Sequence, residues 1–358
     1  MSGTLPPHVD TSARCLNGWW DFLPLSFAGT GSGGTDCTPP GDDAAWAKGA
    51  YLVPSVWTKS PEGCRGPGER FFRMRTGADP VADAAAAAET TEWLFDAYDY
   101  PLDWHRHRNA WVRRSVDIHP RAGMRYRLCL EGVLARCRLF VNGRDLGGHD
   151  DAMLPGEWDL TDALHPGMNE LALLVMDYQR SADDRRKTLH PSGNKFTQQH
   201  LGIWQDVWLR ERPEVRVADV TLRPSTRRRE LACDVTLIND SASDFQGCLY
   251  LDASRWRKGC GAWEDTGEKV FPKTSISVPT GGQEVVRANL AWPEADWWSP
   301  FSPVLYWFRS RLVGGAGEID RHAERFGFRE VWIEGHELLL NDHPIHLFSD
   351  WGHKVTPF

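Results

Sequence analysis

Apolar and polar residues alternate with period two through much of the first half of the chain. Tyr126, Leu128 and Leu130 alternate with Arg125, Arg127, Cys129 and Glu131. Cys137, Leu139 and Val141 alternate with Arg136, Arg138 and Phe140. Val112, Val116 and Ile118 are interleaved with Trp111, Arg113, Ser115 and Asp117. Successive side chains of a strand point to opposite faces. Each run therefore predicts a strand with one face on a core and the other toward solvent or a second layer. Asn142-Gly143 directly follows Leu139-Phe140-Val141 and supplies the positive φ angles of a tight hairpin. Residues 171–178 are apolar on both faces, which predicts a central strand. Pro and Gly punctuate these runs at short intervals, so the pattern predicts an all-β fold of packed sandwiches.

One segment before residue 330 reads as helix. Residues 83–89 contain five consecutive alanines, and Ala is the best helix former. It lies in a stretch, residues 76–108, that also holds Trp93, Tyr98, Tyr100, Trp104 and His105. That stretch is expected to be an insertion packed on the first sandwich. A break falls near Glu211-Arg212-Pro213. Beyond it Leu231, Cys233, Val235 and Leu237 alternate with polar residues, as do Val304, Tyr306, Phe308 and Leu312 with theirs. Residues 213–325 are thus expected to form a second, smaller sandwich, near the ~100 residues of an immunoglobulin-like unit. Arg227-Arg228-Arg229 sits between two of its strands as a solvated turn. After Phe326, Leu338-Leu339-Leu340, the turn Asn341-Asp342-His343-Pro344 and residues 345–348 read as a hairpin leading into a buried strand.

Length agrees with several cores. The chain has 358 residues, and single cores stop growing near roughly 250–300. A net charge of −8 argues against nucleic-acid binding as the main role. The longest apolar run, residues 171–176, is far short of the ~18 needed to span a bilayer, so no membrane partner is expected. The first ten residues show no basic and apolar leader, and the expected location is cytoplasmic. The cysteines lack C-x-x-C spacing, and Cys129, Cys137 and Cys233 read as buried free thiols. Eighteen tryptophans call for a reason: large β cores or the flat faces of sugars.

Most motif matches fail on physical grounds. Residues 29–34, Gly-Thr-Gly-Ser-Gly-Gly, fit G-x-G-x-x-G, but Pro39-Pro40 follows where a phosphate-binding helix must start. His105-Arg106-His107 and the pair His343 and His346 have no third ligand at a diagnostic spacing. No metal and no cofactor is expected.

A longer series of motifs has a familiar order. It runs Leu16-Asn17-Gly18-Trp19-Trp20-Asp21-Phe22, Val53-Pro54-Ser55-Val56-Trp57, Trp111-Val112-Arg113-Arg114, Glu131-Gly132-Val133, Val141-Asn142-Gly143 and Leu146-Gly147-Gly148-His149. Gly202-Ile203-Trp204-Gln205-Asp206-Val207-Trp208-Leu209 follows, then Trp297-Trp298-Ser299-Pro300, Pro303-Val304-Leu305-Tyr306 and Arg325-Phe326-Gly327-Phe328-Arg329-Glu330. Together they resemble glycoside hydrolase family 2, the β-galactosidases, β-glucuronidases and β-mannosidases. In that light Trp19, Trp57, Trp111, Trp204 and Trp208 read as landmarks of the sandwich cores and their seams.

The resemblance implies a jelly-roll (galactose-binding-like) domain over residues 1–212, an immunoglobulin-like sandwich over 213–325, and the start of a TIM barrel over 326–358, truncated after its first strand. It implies a retaining β-glycosidase whose paired carboxylates, about 5–5.5 Å apart, lie on later barrel strands. No catalytic residue is therefore expected in this chain, and Glu330, Glu334 and Glu337 are expected to be solvated. It also implies substrate contacts. Asp350, Trp351 and His353 would stand at the lip of the first barrel strand, where a carboxylate, an indole face and an imidazole suit a sugar. The loop 191–200 would reach the same site with Asn194 and Gln198 as hydrogen-bonding groups; the acidic residue that some members carry there is absent. The implied partner is a β-glycoside carbohydrate. Two functions follow: the N-terminal portion of a family 2 glycosidase, or a stand-alone carbohydrate-binding module. Oligomeric state is not legible.

Overall fold

The computed structural model describes residues 13–25, 38–57, 100, 101, 103, 104, 107, 109–134, 136–151, 154–177, 201–264 and 267–347. They form two compact units, one being Ala13–Glu211 and the other beginning at Arg212. The expected helix at 83–89 and the glycine-rich segment 29–34 lie outside the described residues. Among the described residues there is no α-helix, a 3-10 turn spans Thr161–Ala163, and no helix is long and apolar enough to cross a membrane.

The first unit contains β1 (Ala13–Cys15), β2 (Gly18–Leu25), β3 (Ala47–Val53), β4 (Asn109–Ile118), β5 (Met124–Leu130), β6 (Val133–Leu134), β7 (Arg136–Val141), β8 (Arg144–His149), β9 (Gly156–Asp159), β10 (Gly167–Met176), β11 (Gly202–Ile203) and β12 (Val207–Pro213). One sheet has the order β3-β2-β4-β10-β7-β8, another β1-β12-β5-β9, and β11 pairs with β6. β10 is central. Leu171, Leu173 and Val175 enter the main core with Trp20, Phe22, Val112 and Leu139. Ala172 and Leu174 join a second apolar layer on the opposite face with Trp46, Trp111 and Phe140. That two-sided burial explains the strand's lack of alternation. The β7–β8 turn has φ of 51° at Asn142 and 79° at Gly143, the geometry that matches the twist of paired strands.

One tryptophan departs from expectation. Trp19 is 58% exposed, while its neighbour Trp20 is buried and donates from Nε1 to the Leu16 carbonyl at 3.0 Å. Adjacent residues of a strand face opposite ways, and pairing of Trp20 with the buried Tyr51 settles which one enters the core.

The second unit contains β13 (Val215–Ser225), β14 (Glu230–Asn239), β15 (Phe245–Arg255), β16 (Lys269–Val270), β17 (Thr274–Val278), β18 (Gln283–Ala291), β19 (Tyr306–Gly314), β20 (Gly317–Phe326), β21 (Val331–Glu334), β22 (Glu337–Leu340) and β23 (His343–Pro344). A sheet β13-β14-β18 and a sheet β16-β15-β19-β20, with β17 also on β15, enclose Leu231, Cys233, Val235, Leu251, Phe308 and Leu312.

β21, β22 and β23 form a small meander that corrects two expectations. Glu330 is not solvated. Its Oε2 accepts from the amides of Thr226 and Arg227 at 2.9 and 3.2 Å, and its Oε1 accepts from Arg227 Nε at 2.7 Å. Arg227 is therefore tied down, and its guanidinium also lies 4.6 Å from the ring centre of Trp332. The meander is further held by buried Asn341, which donates to the carbonyls of Trp298 and Phe328 at 2.8 and 3.0 Å and accepts from the Glu330 amide at 2.8 Å. Glu334 and Glu337 are exposed as expected. The buried strand expected at 345–348 is not seen in its described part: Ile345 is half-buried, Leu347 is 77% exposed, and Phe348 lies outside the described residues.

Candidate functional site

The five expected substrate contacts, Asp350, Trp351, His353, Asn194 and Gln198, all lie outside the described residues. What the structure places is the frame at the two ends of the segment 178–200. β10 leads into it through Asp177, a buried residue whose amide donates to Asn109 Oδ1 at 3.2 Å. The chain returns at Leu201, whose carbonyl accepts from the Trp57 amide at 2.9 Å. Two residues on, the Ile203 carbonyl accepts from the Ser55 amide at 2.7 Å, so the Pro54–Trp57 segment and the Leu201–Ile203 segment run bonded together.

Hydroxyl groups lock this frame. Ile203 N–H donates to Tyr51 Oη at 2.9 Å, and Tyr51 donates to the Ser55 carbonyl at 2.7 Å. Ser55 Oγ and Tyr100 Oη are 2.7 Å apart, and Tyr100 also accepts from the Leu52 amide at 2.9 Å. Rings of Phe22, Tyr51, Trp57, Tyr100 and Trp104 pack beneath, with Trp104 stacked on Phe22 at 3.9 Å between centroids. The hydroxyls of Tyr51, Ser55 and Tyr100 are thereby all hydrogen-bonded, and the Tyr51 bonds are fully buried.

Two glycines make the close approaches possible. Gly202 has φ of 151°, and a Cβ there would lie 2.4 Å from the Ser55 carbonyl oxygen. A Cβ on Gly132 would lie 2.7 Å from the Trp204 indole, and the Gly132 carbonyl accepts from the Trp204 amide at 3.2 Å. The Glu131 amide donates to the Asp206 carbonyl at 3.0 Å. Burial raises the Glu131 carboxyl pKa, and the neighbouring Asp206 charge adds to it. Asp206 Oδ1 accepts from Asn17 Nδ2 at 2.8 Å, and Asn17 Oδ1 accepts from the Val207 amide at 3.1 Å. Arg114 Nη1 reaches the carbonyls of Leu16 and Asn17 at 2.6 and 3.0 Å. The separate sequence motifs thus converge on one frame. Its chemistry is positional: among the described residues no group of three or more His, Cys, Asp or Glu is arranged to hold a metal.

No family model matches the chain. A β-galactosidase of Enterobacter cloacae is 30% identical over 231 residues, which are 61% of this chain and 20% of that protein. A β-galactosidase of Klebsiella pneumoniae is 24% identical over 314 residues, 78% of this chain and 28% of that protein. A family 2 β-galacturonidase of Eisenbergiella tayi superposes with a TM-score of 0.63 at 21% identity, covering 96% of this chain and 48% of that one. The chain is homologous to glycoside hydrolase family 2 enzymes. A Bacteroides uniformis β-glucuronidase shares the fold at a TM-score of 0.64 and 18% identity, over 93% of this chain and 34% of its own. The chain spans between a fifth and half of the length of these proteins.

The frame explains which residues of the motif series carry structural weight here. Gly202, Gly132, Asn17 and Arg114 each serve a contact that another residue type would lose. The hydroxyl set of Tyr51, Ser55 and Tyr100 is not legible as a group in the sequence, because Tyr100 arrives from 45 positions beyond Ser55.

Proposed function

We propose that this chain is the N-terminal portion of a retaining family 2 β-glycosidase. In this reading residues 1–212 are a jelly-roll sugar-binding domain, 213–325 an immunoglobulin-like sandwich, and 326–358 the start of a TIM-barrel catalytic domain. The catalytic glutamates lie on parts of the barrel that this chain does not contain. Partial homology to β-galactosidases, over 20–28% of their length, carries the proposal. The exposed Val331 and Ile333 on β21 support it, since an isolated meander has no use for two bare apolar side chains.

Asp350, Trp351 and His353 are proposed to line the sugar site, with Asn194 and Gln198 reaching it from the 191–200 loop. The frame around Gly202 and Tyr51 then acquires a purpose. It fixes one foot of that loop, so its polar side chains can be held in position. The purified 358-residue chain is expected to show no turnover of aryl β-glycosides. A version extended in frame, or after correction of a frameshift, through a complete barrel is expected to hydrolyse them with retention. Turnover by the chain alone, or none by the extended protein, sinks the reading. A stand-alone carbohydrate-binding module is the second reading, and glycan binding without any barrel in the gene favours it.

A further inference from the structure

Strand register places three rows of side chains on the outer face of the β15-β19-β20 sheet. Ser254, Trp307 and Arg325 form one row, Asp252, Arg309 and Ala323 the next, and Tyr250, Arg311 and Arg321 the third. The middle row is closed. Buried Arg309 pairs with Asp252 at 2.5 Å and donates to the Ala262 carbonyl at 3.0 Å, and Ala262 packs on Trp307 and Ala323.

The flanking rows are different. Arg311, Arg321 and Arg325 are exposed, as is Lys273 beside them. Each cation rests on an aromatic ring: Arg311 and Lys273 on Tyr250 at 5.7 and 5.5 Å, Arg321 on Trp263 at 5.1 Å, and Arg325 on Trp256 at 5.7 Å. None of the four pairs with a carboxylate among the described residues. Arginines elsewhere do: Arg113, Arg125, Arg138, Arg216 and Arg223 each meet an Asp or Glu within 3.2 Å. Arg311 and Arg321 moreover stand directly opposite each other on adjacent strands, a like-charge pairing that opposes sheet stability. Beneath Arg325, Ser254 Oγ and Trp307 Nε1 are buried without a hydrogen-bond partner among the described residues. The face concentrates positive charge in a chain whose net charge is −8.

We propose that this face binds an acidic polysaccharide through its carboxylates, with Arg311, Arg321 and Arg325 as the contacts. A guanidinium seated over a ring is partly pre-ordered and loses less freedom when it grips a carboxylate. The aromatic rings lie under the cations, so the face lacks the bare apolar centre that protein interfaces use. The choice of a glycan over an acidic protein also rests on the proposed carbohydrate function; the cationic face itself does not.

Affinity electrophoresis of the full chain in polygalacturonate gels tests this. Retardation is expected, weakening as salt rises, and absent with the methyl-esterified polymer. Arg311→Ala with Arg321→Ala is expected to weaken binding by at least about tenfold, the loss of two charge-assisted contacts. Lysine at both positions, which keeps the charge but not the planar fork, is expected to restore only part of it, and Arg144→Ala, an exposed arginine of the first unit, to keep all of it. If the double alanine variant does not fold, Arg325→Glu alone is expected to give a similar loss. Absence of retardation, equal retardation of the charge-removed variants, or equal binding of polyglutamate or single-stranded DNA overturns the proposal. None of these results depends on whether the extended protein is a glycosidase.

Discussion

Glu330 and Arg227 form an ion pair across 103 residues of sequence in which Arg227 Nε and Nη2 both donate to one oxygen, Glu330 Oε1, at 2.7 and 2.5 Å. Burial alone raises the carboxyl's pKa, but the Arg227 guanidinium, the Arg227 amide and the Ser225 hydroxyl more than reverse that and hold it at about 2.

A pKa held below the ~4.3 of free glutamate stabilises the fold most when the unfolded carboxyl is also ionised. The contribution is therefore complete above about pH 5 and lost as pH falls through 4 toward 2. Glu330→Gln is expected to cost about 2 kcal/mol at neutral pH, less than the full shift implies because Arg227 is open to solvent. Urea unfolding at both pH values checks this: the gap between wild type and variant is expected to close in acid.

Gly202→Ala is expected to be more damaging than Gly132→Ala. The first places a methyl group on the Ser55 backbone, which cannot move, at a φ that non-glycine residues avoid. The second meets side chains of Trp204 and Gln205, which have some freedom to shift. A loss above about 3 kcal/mol is expected for Gly202→Ala and roughly 1–3 for Gly132→Ala, read from thermal or denaturant midpoints.

Asp252→Asn is expected to destabilise by about 3 kcal/mol, because it removes the Asp252 carboxylate charge from the buried Arg309 guanidinium. Replacing both partners with apolar residues, Asp252→Leu and Arg309→Met, is expected to cost much less. A double-mutant cycle measures the difference, and equal losses would show that the pair is not the coupled unit its geometry indicates.

Burial raises the Cys129 and Cys233 thiol pKa values to about 11 and pushes Cys137 higher still. Exposed Cys15 has no such shield. A thiol reagent at about pH 8 is expected to label Cys15 rapidly and the other three only on unfolding, as site-resolved mass spectrometry can show.

Much of the sheet architecture is legible in the sequence because its signals are local. Asn142-Gly143 marks its own turn, and the unbroken apolar run at Leu171 to Met176 announces a strand covered on both sides. Residues whose environment is made by distant segments are the ones misread. Glu330 reads as solvated since nothing near it in sequence reveals Arg227. Trp19 and Trp20 are indistinguishable until pairing with β3 chooses between them. The motifs of the frame are visible as a series, but their reason, a backbone approach too close for any side chain at Gly202, exists only in three dimensions. The expected sugar contacts themselves fall outside the described residues.

The pairing of β1 with β12 has a consequence during synthesis. Asn17 bonds Asp206 across 189 residues, and β12 is the strand that joins β1 to β5. At roughly 5–20 residues per second, ribosomes need on the order of ten to forty seconds to bring the later partner out after the earlier one. Once β5 (Met124–Leu130) has emerged, it presents a bare edge to its surroundings for the later part of that interval, until β12 follows at Val207. The nascent first sandwich is thus open to intermolecular strand pairing until its last strand emerges, and its yield is expected to depend on elongation speed and chaperone supply more than its final stability would suggest.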